Sequence, residues 1–528
     1  MGIYFKSPLI APHPYVTVNA FNTGFLLGFQ HDQMKLAPTI PRMIPFYSRS
    51  LGLCLGQTLA GALLPLVLMA DGANPARWPQ FRGEGGSAIG TGHPPIVFGV
   101  TTNLQWQTET PSGNSSPILW GDRLFLTGRS GETLETLCYD RRKGTLLWRR
   151  PAPASPLEPT HRLANPATPT PATDGSRVYV YFGSFGALAY DFDGNEVWNH
   201  PLPAPVVEFG TSASPILAGE FVILARDQDT GSHLLALRRD TGDVAWRVKR
   251  PEFRRSFATP FLWHHDNVDE LIVPGSIWLK SYNPVTGAEN WTVSGTSRVA
   301  TSSPSAGGGM LFSASWNVGG DAEDRVTMEP YAEAAAKYDA NQDGRLVPGE
   351  LPDGPVKQRF TQMDLNKDGV VTPEEWETMR QMFAKAGNSV FAVRPGGHGD
   401  ISPSHVAWRV TRSLPYVSSP LYCDGRLFTM KNGGLASAYE AATGKPLYQD
   451  VRIGVPGDYY SSAVGADGRI YIAAQSGTVV VLRNGDTPEV LARNSLGEEI
   501  FATPAIVDGT LYIRSATRLS AFRQAELR

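Results

Sequence analysis

The chain has 528 residues, a formal net charge of -3, and 54 glycines and 42 prolines beside 18% charged residues. That length exceeds one ordinary core unless the architecture is a repeat or a large all-β domain. The composition excludes a disordered chain, the lack of a basic stripe excludes a nucleic-acid binder, and three cysteines set no disulfide framework or thiolate metal site.

Residues 1–76 read as a leader. Residues 51–70, LGLCLGQTLAGALLPLVLMA, form an apolar core behind Arg42 and Arg49. A cationic flank, an apolar core and small residues afterwards make a secretory signal, with cleavage expected after Ala73 or Ala76. Met43 would be the more natural start. The alternative is an uncleaved anchor, since about 20 apolar residues span a bilayer. Cys54 precedes most of the apolar core, which argues against a lipid-modified cysteine. The expected location is therefore periplasmic or secreted, with membrane contact only if the leader stays attached.

From about residue 100 the chain repeats itself. A small-residue stretch ending in proline is followed by a turn and an apolar strand, as in SSPILWGDRLFL at 115–126 and SPILAGEFVIL at 214–224. The repeat prolines are Pro117, Pro171, Pro215, Pro260, Pro304, Pro420 and Pro504, with Ala463 in the remaining copy. Successive spacings are 54, 44, 45, 44, 116, 43 and 41, and removing 317–387 from the long interval leaves 45. Each copy then carries a third strand, a Thr-Gly or Asp-Gly turn and a strand bearing an aromatic, as in ALRRDTGDVAWRV at 236–248. The fourth-strand aromatics are Trp148, Trp198, Trp246, Trp291 and Trp408, with Tyr448 and Leu491 as weaker copies. Four short strands in about 44 residues make a propeller blade. The last copy lacks its fourth strand, and 103–110, carrying Trp106, would supply it and close the ring. The spacing thus predicts an all-β fold over 77–528: an eight-bladed β-propeller of four-stranded blades closed by N- and C-terminal strands, with a small α-helical pair inserted in the fifth blade at 317–387.

That insertion holds 14 acidic and 8 basic residues, so it is acidic where the remainder is slightly basic. It contains DANQDGRLVPGE at 339–350 and DLNKDGVVTPEE at 364–375. Oxygens at loop positions 1, 3, 5, 7 and 12 suit a hard cation about 2.3–2.6 Å away, and glycine at position 6 permits the turn. The loops resemble the EF-hand family. The resemblance implies two Ca2+ sites: Asp339, Asn341, Asp343, the Arg345 carbonyl and Glu350; and Asp364, Asn366, Asp368, the Val370 carbonyl and Glu375. The competing reading is a pair of acidic Asx-turn loops without metal. Leu346 and Val371, at position 8, are expected to bridge the loops. Phe360 and Met363, and later Trp376, Met379, Met382 and Phe383, supply inner faces. Pro352 and Gly354 cut short the helix after the first loop, which favours a structural calcium module over a sensor that opens.

The repeats resemble the eight-bladed quinoprotein-like (PQQ-repeat) propellers, through the A-x-D-x-x-T-G-x-x-x-W ending, the Ser/Thr-Pro first strand and the lead-in RWPQFRGEGGSAIG at 77–90. The resemblance covers 77–316 and 388–528. It is specific for fold and poor for function, because the family includes quinone-dependent alcohol dehydrogenases and a scaffold lipoprotein of outer-membrane assembly. It implies PQQ as a candidate cofactor, but the chain has no Cys-Cys dipeptide of the kind those dehydrogenases carry, and no nucleophile, zinc or nucleotide motif. No catalytic residue is assigned. The tryptophans read as wedges between blades, and His264-His265 as a solvated turn pair. The preferred function is an exported calcium-binding propeller acting as a binding or scaffold protein in the cell envelope; the alternative is a PQQ-dependent quinoprotein oxidoreductase of alcohols or sugars.

In a four-stranded meander, the connection into strand one and that between strands two and three share a face. The insertion separates those two strands of blade five, so it is expected on the face of the blade-to-blade loops. These carry Glu208, Phe209, Arg254, Arg255, Phe257, Arg298, Tyr416, Asp458, Tyr459, Tyr460, Glu498 and Phe501. Such a face suits an envelope protein or a carbohydrate, and no nucleic acid. The competing reading is that Phe257, Tyr460 and Phe501 simply plug the channel.

Overall fold

The period-two alternation of each repeat resolves into an antiparallel sheet, and the structure, a computed structural model, describes residues 76–525 except Ala322 and Asp324. The apolar leader and Cys54 lie outside these residues. No helix of the described residues is long and apolar enough to cross a membrane.

Eight sheets form, each with a four-stranded meander at its heart. Blade 1 runs Ile118–Trp120, Arg123–Ser130, Thr133–Asp140 and Leu146–Pro151. Blade 8 consists of Ala505–Val507, Thr510–Arg514 and Arg518–Arg523, and its outer strand is Leu104–Glu109 from the other end of the chain. That strand pairs Leu104 with Phe522 and Glu109 with Arg518. The ring is thus closed by termini, which removes a free sheet edge on blade 8.

Two sequence signals acquire physical reasons. The first is the Ser/Thr before each repeat proline. In every blade the backbone N–H of this residue donates to the hydroxyl of its counterpart in the next blade. Ser116 donates to Thr170, Thr170 to Ser214, Ser214 to Thr259 and Thr259 to Ser303, at 2.9–3.0 Å. Ser303 donates to Ser419, Ser419 to Ser462, Ser462 to Thr503, and Thr503 back to Ser116, at 2.9–3.1 Å. A closed belt of hydroxyls therefore surrounds the axis and satisfies backbone donors that the neighbouring proline leaves outside any ladder.

The second signal is the pairing of the glycine in the turn before the fourth strand with Trp. Each glycine sits under the tryptophan of the preceding blade. A Cβ on Gly144, Gly194, Gly242 or Gly444 would lie 2.3–2.8 Å from Trp106, Trp148, Trp198 or Trp408, respectively. Those indole N–H groups donate to carbonyls of the same turns, Arg141, Phe192, Arg239 and Ala441, at 2.8–3.0 Å. The tryptophans are inter-blade wedges, as read from the sequence. Gly242→Ala should lower the thermal unfolding free energy by about 2–5 kcal/mol, because it combines a left-handed backbone with overpacking. Gly219→Ala, at φ 53° with open space around it, should cost only about 1–2 kcal/mol. Equal losses in thermal melts of the two variants would show that the tryptophan contact contributes nothing.

The lead-in 77–90 crosses the opposite face, that of the turns between first and second strands. Gly121 and Thr173 donate to the carbonyls of Ala76 and Pro79, and Gly465 donates to Ala88. Arg82 is fully buried near the axis and donates to the carbonyls of Pro304 and Pro420. Burial without a carboxylate pushes its pKa down to about 9.

The described cysteines, Cys138 in blade 1 and Cys423 at the end of the strand Leu421–Cys423, are buried and unpaired. One expectation fails here. His265 ends the strand Phe261–His265 rather than lying in a turn, and it packs on Trp263 with ring centroids 4.3 Å apart. Only His264 is solvated, paired with Asp269 at 2.7 Å.

Candidate functional site

The insertion leaves blade 5 after Met310–Ser315 and returns at Ser389–Val393. Its two ends are clasped. Asn317 N–H donates to Asn388 Oδ1 and Asn388 Nδ2 donates to the Asn317 carbonyl, both at 2.9 Å. Between them stand α1 (Tyr331–Tyr338), α2 (Phe360–Met363, preceded by a 3-10 turn at Lys357–Arg359) and α3 (Pro373–Lys385). The last helix begins with a capping box between Thr372 and Glu375 and Pro373 in its first turn. No helix leaves the first loop directly: residues 351–356, with Pro352 and Gly354, separate it from the 3-10 turn. Phe360, Met363, Trp376, Met379, Met382 and Phe383 are all buried in one cluster.

Both loops fold alike. In the first, Asp339 accepts from the N–H groups of Asp343 and Gly344, at 3.2 and 2.9 Å, and Asp343 accepts from Arg345 at 2.9 Å. Glu350 accepts from Ala340 and Val347, at 3.2 and 3.0 Å. The second loop repeats this with Asp364, Asp368 and Glu375: Gly369 donates to Asp364 at 2.9 Å, and Leu365 and Thr372 donate to Glu375 at 2.8 and 2.9 Å. Asn341 and Asn366 each accept from the Asp two residues on, at 2.9 and 3.0 Å. Gly344 and Gly369 have φ of 77° and 87°, values that glycine adopts freely. Leu346 and Val371 exchange backbone hydrogen bonds of 3.0 and 2.8 Å, tying the loops together. The donor sets are hard oxygen throughout, which suits calcium. Among the described residues no three His, Cys, Asp or Glu side chains are drawn together at metal-holding distance.

The insertion seats itself on the blade-to-blade loops. Ile277, in the connection between the strands Val268–Pro274 and Trp278–Tyr282 of the preceding blade, is buried within the helical cluster. Its φ of 61° is a left-handed conformation that a β-branched side chain adopts only under strain. Arg254 donates to the Gln362 carbonyl and reaches Met379, while Arg298 donates to Gln362 Oε1 at 2.9 Å and lies over Phe383.

Beneath this roof is an axial cavity of about 470 Å³. Its waist is the hydroxyl belt, Phe81 of the lead-in contributes to it, and Gln362, Met379 and Met382 of the insertion close over one side. Phe209, Arg254, Arg255, Phe257, Arg298, Tyr416, Tyr460 and Phe501 all line it, as the face argument expected. Phe209 meets Phe257 edge-on, and Tyr460 stacks on Phe501 with centroids 5.6 Å apart. These rings line the space instead of filling it, so the plug reading is set aside. Four residues expected on this face do not line the cavity. Tyr459 is fully buried in the core, its hydroxyl donating to the Val455 carbonyl. Glu208 pairs with Arg255, Asp458 accepts from Tyr460, and Glu498 accepts from Ser515 and Thr517. Gln362 and the belt hydroxyls carry no sequence signal that marks them as cavity residues.

A family model described as outer membrane protein assembly factor BamB matches residues 97–268, 135–302 and 398–528. The chain belongs to this family. An EF-hand model matches residues 356–379, around the second loop. No curated protein matches the chain. Among solved structures, BamB from Moraxella catarrhalis is similar at 13% identity and a TM-score of 0.50, covering 79% of this chain and 100% of its own. A europium-containing methanol dehydrogenase is similar at 10% identity and a TM-score of 0.53, covering 85% of this chain and 98% of its own. At such identities the likeness is one of fold, and this BamB-type propeller must be read from its own site.

Proposed function

We propose that this BamB-type propeller is an exported, non-catalytic binding protein of the cell envelope, whose EF-hand pair holds two calcium ions and roofs the ligand cavity. The observation that carries the reading is the seating of the acidic helical pair over one end of a lined axial cavity. Asp339, Asn341, Asp343, Glu350 and the Arg345 carbonyl would hold one ion, and Asp364, Asn366, Asp368, Glu375 and the Val370 carbonyl the other. Bound calcium would cross-link each loop and so fix the roof. An envelope protein segment or a carbohydrate is the expected class of partner. The quinone enzymes' vicinal cysteines have no counterpart here, and neither described cysteine lines the cavity.

Native mass spectrometry of the protein purified from its own cell envelope should show a bound partner or ligand. Val299→Trp, which fills the cavity from its lining, should abolish that adduct without changing the melting temperature by more than a few degrees. Accumulation in the cytoplasm, or dye-linked alcohol oxidation after quinone is added, would overturn the reading.

A further inference from the structure

Cations outnumber carboxylates where the insertion meets the propeller. Asp229 is almost completely buried and accepts from both Arg254, at 3.1 Å, and Arg255, at 2.5 Å. Lys367 of the insertion approaches the same carboxylate at 3.9 Å. The half-exposed Glu208 also pairs with Arg255. Arg298 has no carboxylate partner among the described residues. Its guanidinium is held by a neutral carboxamide oxygen, that of Gln362. Arg254 Nε, buried at the cavity wall, finds no hydrogen-bond partner.

This arrangement is costly unless something negative completes it, because a desolvated cation without a counter-ion loses its hydration uncompensated. Burial first, and then the like charges of Arg359, Arg255 and Arg254, push Arg298 down to about 10, so it remains charged at neutral pH. A guanidinium presents a planar fork that matches a carboxylate with two parallel hydrogen bonds. The group now in contact with that fork is a carboxamide, which has the shape of a carboxylate without its charge. The same cavity is lined by the aromatic rings of Phe257, Tyr416 and Phe501.

Resting on the reading of the cavity as a binding site, we propose that it takes a small organic carboxylate. The carboxylate sits on Arg298 and Arg254 at the seam with the insertion, displacing the Gln362 carboxamide, and the apolar body packs on the aromatic walls.

The test is calorimetric titration of the full chain, in millimolar calcium, with 1-naphthoate and with its neutral counterpart 1-naphthamide. The acid should bind at least about tenfold more tightly than the amide, as expected for a charge-assisted pair. Arg298→Gln should erase that preference, and Arg298→Lys should restore part of it. Far-ultraviolet circular dichroism of both variants should match the parent chain, so that a changed preference reports the cavity and not a lost fold. Equal binding of acid and amide would overturn the carboxylate proposal while leaving a binding cavity intact. So would an undiminished preference in Arg298→Gln. Absence of binding by either probe at millimolar concentration would overturn the cavity reading as well.

Discussion

Titrated with calcium in a calorimeter, the protein should take up two ions with dissociation constants on the order of 10⁻⁵–10⁻³ M, the range of extracellular modules and weak sensors. Each loop has only three acidic side chains at its ligand positions, and the first hand lacks an exiting helix, so tight buffering sites are not expected. Calcium at a hundredfold excess over its dissociation constant should stabilise the insertion by about 2.7 kcal/mol per independent site. Glu375→Gln should weaken the second site by more than about 100-fold, since even changes behind the ligands cost about 10–100-fold. Glu350→Gln should do the same to the first. Because Leu346 and Val371 share two backbone hydrogen bonds, each variant should also weaken the other site. No heat of binding at millimolar calcium would sink the assignment and leave the Asx-turn reading, in which the loop carboxylates serve only the backbone N–H groups they already accept from.

The propeller was legible because its signals are repeated and local. Alternation, Thr-Gly turns and prolines recur in register, so blade count, ring closure by 103–110 and the place of the insertion all follow from spacing. The roles behind the signals were less visible. A serine before a proline looks like turn chemistry, and nothing local says that its hydroxyl serves a backbone some 40–50 residues away, as Ser214 does for Thr170. The tryptophans were identifiable as wedges, yet the glycine beneath each one is explained only by the neighbouring blade. The cavity was legible by face but not by depth. Tyr459 and Tyr460 are adjacent, and alternation alone sends one into the core and the other to the cavity. Gln362 and Met379 resemble any surface and core residues of a helical pair, and their position over Arg254 and Arg298 depends on how the insertion docks. His265 was misplaced because a His-His-Asp-Asn run resembles a turn, whereas the turn begins one residue later.

Replacing residues 318–387 with a short Gly/Ser turn should leave a soluble, folded propeller. Ser315 and Ser389 are already register partners on adjacent strands, and the Asn317–Asn388 clasp holds the chain ends together. A hairpin turn of a few residues can therefore join them. Every blade has its four strands without the insertion, and the hydroxyl belt passes from Ser303 to Ser419 without touching it. What the deletion uncovers is the docking surface, chiefly Ile277 and Trp278, at about 1.5–3 kcal/mol for each large apolar side chain fully exposed. Ile277 also holds a left-handed backbone, tied by its N–H to the Ser297 carbonyl, that glycine adopts without strain. Ile277→Gly in the deleted chain should consequently raise its melting temperature, whereas the same substitution in the intact protein should lower it by opening the helical core. Far-ultraviolet circular dichroism and thermal melts of the four chains would show this reversal of sign. An insoluble deletion product, or an Ile277→Gly effect of the same sign in both backgrounds, would mean that the helical insertion is part of the propeller's own core rather than a lid set upon it.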